Sequence, residues 1–244
     1  MFVVLAAVFA IGFVVFGVGS GSTGISSALQ NAFDFGGGGG GPSISSLERG
    51  AAKHPNEAKA WRDLATAYEQ KHRTSDAVTA LERYTALRPK DQSALQELGV
   101  QYGTLVTNYQ TDLQNAEIAA ETADPASTFA PPSTTPLGRA FGSTTALRDP
   151  ISAALADQAS AKANTLLQQL TNVEGKAEST YRRLAKLSPD DASTQIQLGQ
   201  AAQTAGDTKT AVAAYRKFLK LAPDDPLAPQ VRAVLKQLAP AKKK

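Results

Sequence analysis

Few residues in this chain could do chemistry, and their spacing argues against it. The only histidines are His54, directly before Pro55, and His72, in a stretch that reads as a helix-to-helix turn. Both are expected in water, outside any nucleophile–base pattern. Cysteine is absent, which excludes disulfides, thiol catalysis, Cys-ligated metal and a lipidated cysteine anchor. The unbroken glycine run at 36–41 lacks the Lys-Ser/Thr that a phosphate-binding loop requires. The pairs Asp190-Asp191 and Asp224-Asp225 come nearest to a metal site. Each directly follows a proline, where a carboxylate caps the next helix and opposes its dipole, and capping is the expected role. The terminal Lys242, Lys243 and Lys244 contribute to a net charge of +3, with no aromatic residues among them to stack on bases. No catalytic residue, cofactor, metal, small-molecule substrate or nucleic acid is therefore expected.

The organising feature is a spacing of 34 residues. Trp61, Leu64 and Tyr68 return as Leu95, Leu98 and Tyr102; Ala177, Tyr181 and Pro189 return as Ala211, Tyr215 and Pro223. Leu47 and Pro55 map onto Leu81 and Pro89 at the same interval. This period and residue order resemble the tetratricopeptide repeat, a helix-turn-helix unit that buries its apolar face only by stacking on its neighbours. The resemblance implies an all-α solenoid that binds other proteins.

Laid along the chain, the resemblance gives a half-repeat helix over 43–57, a first full repeat over 58–91 and a third over 192–225. An amphipathic helix over 226–239 covers the end, and 240–244 is a basic tail. The second repeat, 92–191, opens correctly with Leu95, Leu98, Gly99 and Tyr102, but its second half reappears only at Ala177 and Tyr181. About 66 extra residues lie within it, over roughly 104–176. Leu98, Tyr102, Leu105, Tyr109 and Leu113 keep helical spacing outward, and Leu166, Leu170, Val173 and Ala177 do so on return. That is the seam of two long antiparallel helices, each about 45 to 55 Å long at the usual rise. The Pro/Ser/Thr-rich tip, 124–150, holds Phe129, Leu137 and Phe141 as candidate contacts, or as residues folded back on the helices. In the third repeat Gln195 and Ala202 stand at large aromatic positions, which predicts looser packing there.

In tetratricopeptide repeats the first helix of each unit lines a concave groove. By resemblance the groove residues are Lys59, Arg62, Thr66 and Glu69; then Ser93, Gln96 and Val100; then Ser193, Ile196 and Gln200. Some relatives grip a C-terminal carboxylate with a Lys-Asn clamp. Here Arg62 stands for its first cation, Thr66 replaces the asparagine, and Glu97, Ser193 and Gln197 occupy the other places. A peptide or helix laid in this mixed polar groove is the expected partner.

Met1 to Val18 is an apolar run without charge, long enough for the hydrocarbon core. Residues 1–19 are expected to be a single transmembrane helix. A cleaved signal peptide and a buried core helix fit less well, because no basic residue precedes the run and no polar face interrupts it. Residues 20–42, rich in Gly and Ser, read as a tether. The folded part is expected outside the cytoplasm, although the first basic residue, Arg49, is distant from the run. The expected function is a membrane-anchored, non-enzymatic interaction scaffold of bacterial type. The alternative is an envelope chaperone that holds unfolded clients after translocation.

Overall fold

Helix boundaries follow from local chemistry at each end. Ser43 accepts the Ser46 N–H with its side chain and so starts α1, Ile44–Lys53, which stops short of Pro55. The computed structural model describes residues 42–123, 135–136 and 150–238. The expected membrane run 1–19, the Gly/Ser segment up to Gly41, the tip residues Phe129, Leu137 and Phe141 and the tail 240–244 lie outside the described residues. Among those described, regular structure consists of α1 and seven further helices: α2 (Ala58–Gln70), α3 (Thr74–Leu87), α4 (Gln92–Ala123), α5 (Pro150–Leu187), α6 (Ala192–Thr204), α7 (Thr208–Leu221) and α8 (Ala228–Leu238). None of them is long and apolar enough to cross a membrane.

The chain divides after Pro89 into two compact units. In the first, α2 packs on α1 and on α3. Leu64, Ala65 and Tyr68 of α2 and Ala77, Val78 and Leu81 of α3 are buried at helical spacing, which is why these sequences fold as a pair. Tyr68 donates its hydroxyl to Glu48 Oε1 of α1 at 2.7 Å, and the Arg73 guanidinium lies 4.6 Å from its ring centre. Burial and the Glu48 bond push the Tyr68 hydroxyl up to about 12. The α2–α3 turn needs one left-handed residue, and His72 supplies it with φ 55°. The α6–α7 turn of the second unit uses Gly206 at φ 80° in the same role, without a side chain to crowd the backbone.

In the second unit α4 and α5 form the most extensive contact, α6 packs on α5 and α7, and α8 packs on α7. Ser188 Oγ donates to Gln92 Oε1 at 2.7 Å, and the Tyr181 ring lies over Gly99. Both pairs of residue numbers sum to 280, so α4 and α5 run antiparallel in constant register between these points. Their buried seam is Leu98, Tyr102, Leu105 and Ala116 against Leu166, Val173, Ala177, Tyr181 and Leu184. With 32 and 38 residues, the helices are about 48 and 57 Å long at 1.5 Å per residue. Leu95, Tyr181, Leu184, Leu198 and Ala214 join α4, α5, α6 and α7 into one core cluster.

Two glycines permit the closest approaches in this unit. A Cβ on Gly99 would meet the Tyr181 ring at 2.5 Å, and one on Gly199 would meet the Tyr215 ring at 2.5 Å. These partners are 82 and 16 residues apart, so the same contact is made with 66 additional residues between its halves. In the first unit the corresponding positions are Ala65 and Leu81, both fully buried. There a methyl is gained on one helix and a ring is lost from the other. At the two positions where looser packing is expected in the third repeat, the side chains are buried. Gln195 and Ala202 are 4% and 0% exposed. Gln195 Nε2 donates to the Pro189 carbonyl at 2.9 Å, as Trp61 Nε1 does to the Pro55 carbonyl at 2.9 Å. A glutamine replaces the indole because the interaction retained is an N–H donated to the carbonyl six residues before.

Three outcomes are expected. Gly199→Ala should destabilise the chain by about 1–3 kcal/mol through overpacking, and Tyr215→Leu in the same chain should recover most of that loss. Additive losses in urea titrations of the double-mutant cycle would contradict the ring-over-glycine account. His72→Gly should raise stability by roughly 1 kcal/mol by relieving the left-handed backbone, read from the midpoint of thermal unfolding. Half-buried Glu174 of α5 is pushed by burial from the ordinary 4.5 up to about 7. A folded-state value above the ordinary one favours folding below pH 4.5, and that advantage is lost as pH rises through about 7. Glu174→Gln should therefore stabilise the fold at pH 8 by on the order of 1 kcal/mol after discounting for its part exposure, read as a higher melting temperature, and leave stability unchanged near pH 4.

Candidate functional site

The candidate groove residues lie on α2, α4 and α6, and their neighbours decide what each can offer. On α2, Lys59 is exposed and its Nζ pairs with Asp63 Oδ2 at 2.5 Å one turn on. Arg62 is half-buried, with its guanidinium 5.8 Å from the Tyr84 ring centre. Thr66 donates its hydroxyl to the Arg62 carbonyl at 3.1 Å, and Glu69 is half-buried. The clamp pattern is therefore not assembled on this helix. Its cation is held over an aromatic ring, and the hydroxyl in place of asparagine is turned to the backbone.

On α4, Ser93 is exposed, Gln96 half-buried and Val100 44% exposed, so this stretch presents a weakly polar surface. On α6 the expectation needs correcting. Ile196 is only 8% exposed, which makes it a packing residue and not a contact for a partner. Ser193 belongs to the helix start: its hydroxyl donates to the Asp191 carboxylate at 2.8–3.0 Å. Gln200 is half-buried and keeps its place on the face. Of the remaining clamp positions, Glu97 and Gln197 are both half-buried.

Of the paired aspartates, Asp191 caps α6. Asp191 accepts the Ser193 and Thr194 N–H groups at 3.1 and 3.2 Å. Burial pushes its carboxyl up, but the bonds from Thr194 and Ser193 outweigh that and hold it below the ordinary value. Asp225 accepts the Leu227 N–H at 2.8 Å. Asp91 and Asp207 cap α4 and α7 in the same way, through the N–H groups of Ala94 and Thr210. Asp190 lies 3.8 Å from Lys217, an exposed ion pair. No group of potential metal ligands assembles among the described residues.

Arg182, near the end of α5, reaches the start of α7. Its guanidinium pairs with Glu178 one turn back, with Asp207 at 3.0 Å and with the Thr210 hydroxyl at 3.0 Å. The cation thus ties a helix end to the next capped helix start, a positioning role that the spacing of charges did not announce. Another feature missed in the sequence is the outer face of α4. Val100, Thr104, Thr107, Thr111, Ile118 and Thr122 are all exposed there, at intervals of three, four or seven. The hydrophobic periodicity of α4 marks only its seam and says nothing of the opposite face.

Comparison with known proteins adds a family resemblance. Two models of the tetratricopeptide repeat match, at residues 58–100 and 175–226. No curated protein matches the sequence. Among solved structures, a thermophilic tetratricopeptide repeat protein of Thermus thermophilus is similar, with 17% identity over 80% of this chain and 88% of that one. Its TM-score is 0.27, so this likeness carries no argument about how the helices are arranged. The chain thus carries the pattern of the tetratricopeptide repeat in two blocks, one ending in the first turns of α4 and the other beginning near the end of α5.

Proposed function

We propose that this chain is a membrane-anchored scaffold that gathers partner proteins on its repeats. Tetratricopeptide repeats are in general protein-interaction modules and not enzymes, and nothing among the described residues points to catalysis. One observation carries the reading. The two matching blocks flank a long helical pair whose ends meet as the helices of a single repeat do. Tyr181 sits on Gly99 as Tyr215 sits on Gly199, with 66 more residues between. On this reading α4 and α5 are the two helices of the second repeat, lengthened into an arm. The proposed contacts are Lys59, Arg62, Thr66 and Glu69 on α2 in the first compact unit, and, in the second, Ser93, Gln96 and Val100 on α4 and Gln200 on α6. The apolar run 1–19 supplies the anchor, and the folded part lies outside the cytoplasm. Anchoring would raise the effective concentration of weakly bound partners at the membrane. The chaperone reading is weaker, because Ile196, one of its two apolar groove residues, is buried.

The test compares the intact chain with one lacking residues 108–173 and carrying Val106→Gly. This deletion brings Gly99 and Tyr181 to the 16-residue spacing of the compact repeat and supplies its left-handed turn residue. Affinity capture from membranes should give a defined set of partners, part of it lost with the arm. A shifting population of unfolded polypeptides would favour the chaperone, and an empty capture with both chains would remove the scaffold. For the anchor, the intact protein should stay with the membrane through a carbonate wash; its release would overturn that part.

A further inference from the structure

The outer face of α4 is built unlike an ordinary solvated helix face. At 100° per residue, Val100, Thr104, Thr107, Thr111, Ile118 and Thr122 fall in a band roughly 60° wide. This band lies opposite the buried Leu98, Tyr102, Leu105 and Ala116. Val100 and Ile118 are 44% and 53% exposed. The four threonine hydroxyls are turned inward, each donating to the carbonyl four residues back at 2.8–3.3 Å. Each of these hydroxyls thus has its proton committed to the helix, and each threonine also carries a γ-methyl. The face is therefore rich in methyl groups over about 33 Å of helix at the usual rise, with the exposed Gln114 and Asn115 at its edges between Thr111 and Ile118.

Such a composition has a cost in the chain by itself. Every residue of the band is β-branched, the class least suited to an exposed helix, and the outward methyls gain no packing there. Charge is sorted as well. No lysine or arginine occurs in α4, whose acids are Glu97, Asp112, Glu117 and Glu121. Glu117 and Glu121 flank the band on one side and Asp112 on the other, all three exposed. At its N-terminal end the band continues the face of Ser93 and Gln96.

We infer that the outer face of α4 is the docking surface for a helix of a partner protein, with an apolar seam flanked by Lys or Arg. A straight, narrow band of β-branched residues fits the face of one helix, which would lie along α4 as a third member of the α4–α5 pair. The flanking carboxylates select basic residues beside the partner's seam, as flanking charges do in helical bundles. The inference rests on the repeat reading only for its start at Ser93, Gln96 and Val100; the rest stands on α4 itself.

The probe is a fluorescent peptide of about 22 residues, the number that spans the band. It carries Leu and Ala in its seam and Lys on both flanks, and is titrated into the full chain. Binding is expected, at least tenfold tighter than for the same peptide with Glu flanks, and weakened by salt. Thr107→Lys with Thr111→Lys should weaken it at least tenfold without lowering helix content. Thr107→Val with Thr111→Val, which keeps the methyls and removes the hydroxyls, should bind as well as the original. Equal binding of both peptides, no binding of either, survival of binding in the lysine variant or loss in the valine variant would each overturn the inference. So would a homodimer, or a vesicle-bound state without peptide binding, that the lysine variant dissolves. Capture of partners that is unchanged in the lysine variant leaves the scaffold standing and removes only this surface. Peptide binding without any captured partner does the reverse.

Discussion

The second unit depends on how closely two helices can approach at a glycine. At Gly99 and again at Gly199 a tyrosine ring occupies the space that any side chain would need. The ring is buried in both cases, Tyr181 at 3% and Tyr215 at 2% exposure. Each ring thereby fixes the spacing and rotation of its helix pair. Where α2 instead has Ala65, its partner helix has Leu81, and both are fully buried. Packing density, and not the identity of either residue, is what the repeat preserves.

Around these contacts the chain spends its polar groups on helix ends. Asp91, Asp191 and Asp207 each take up backbone N–H groups at a helix start, and Asp225 takes up the Leu227 N–H just before α8. Trp61 and Gln195 bind the carbonyl of the proline six residues before them, one through an indole and one through an amide. These interactions decide where each helix begins, so the apolar faces arrive in register.

Several polar side chains on the candidate contact faces are already engaged. Arg62 lies over Tyr84, and Ser193 is bound to Asp191. The most uniform uncommitted surface is the outer side of α4, where the threonine hydroxyls bond to the helix itself. Burial of methyls against another helix would use the property this face most plainly has. Electrostatics then sets which helix, because acids stand on both flanks and no base is present in α4.

By itself the sequence determined the helices, their pairing into short units and the continuation of two long ones. A 34-residue spacing of apolar positions leaves little freedom in where helices form, and the aspartate two residues after Pro89 and after Pro189 marks where the next begins. Gly99 and Gly199 were visible as letters, and so were the threonines of α4. Only the tertiary structure decided what they do. Which ring lies over which glycine depends on residues 82 positions apart meeting, and which hydroxyl is spent depends on a side-chain rotamer; neither leaves a trace in periodicity. Burial of Ile196 and the tight fit at Gln195 were decided in the same way. Their surroundings come from other helices, and a spacing along one helix cannot report them.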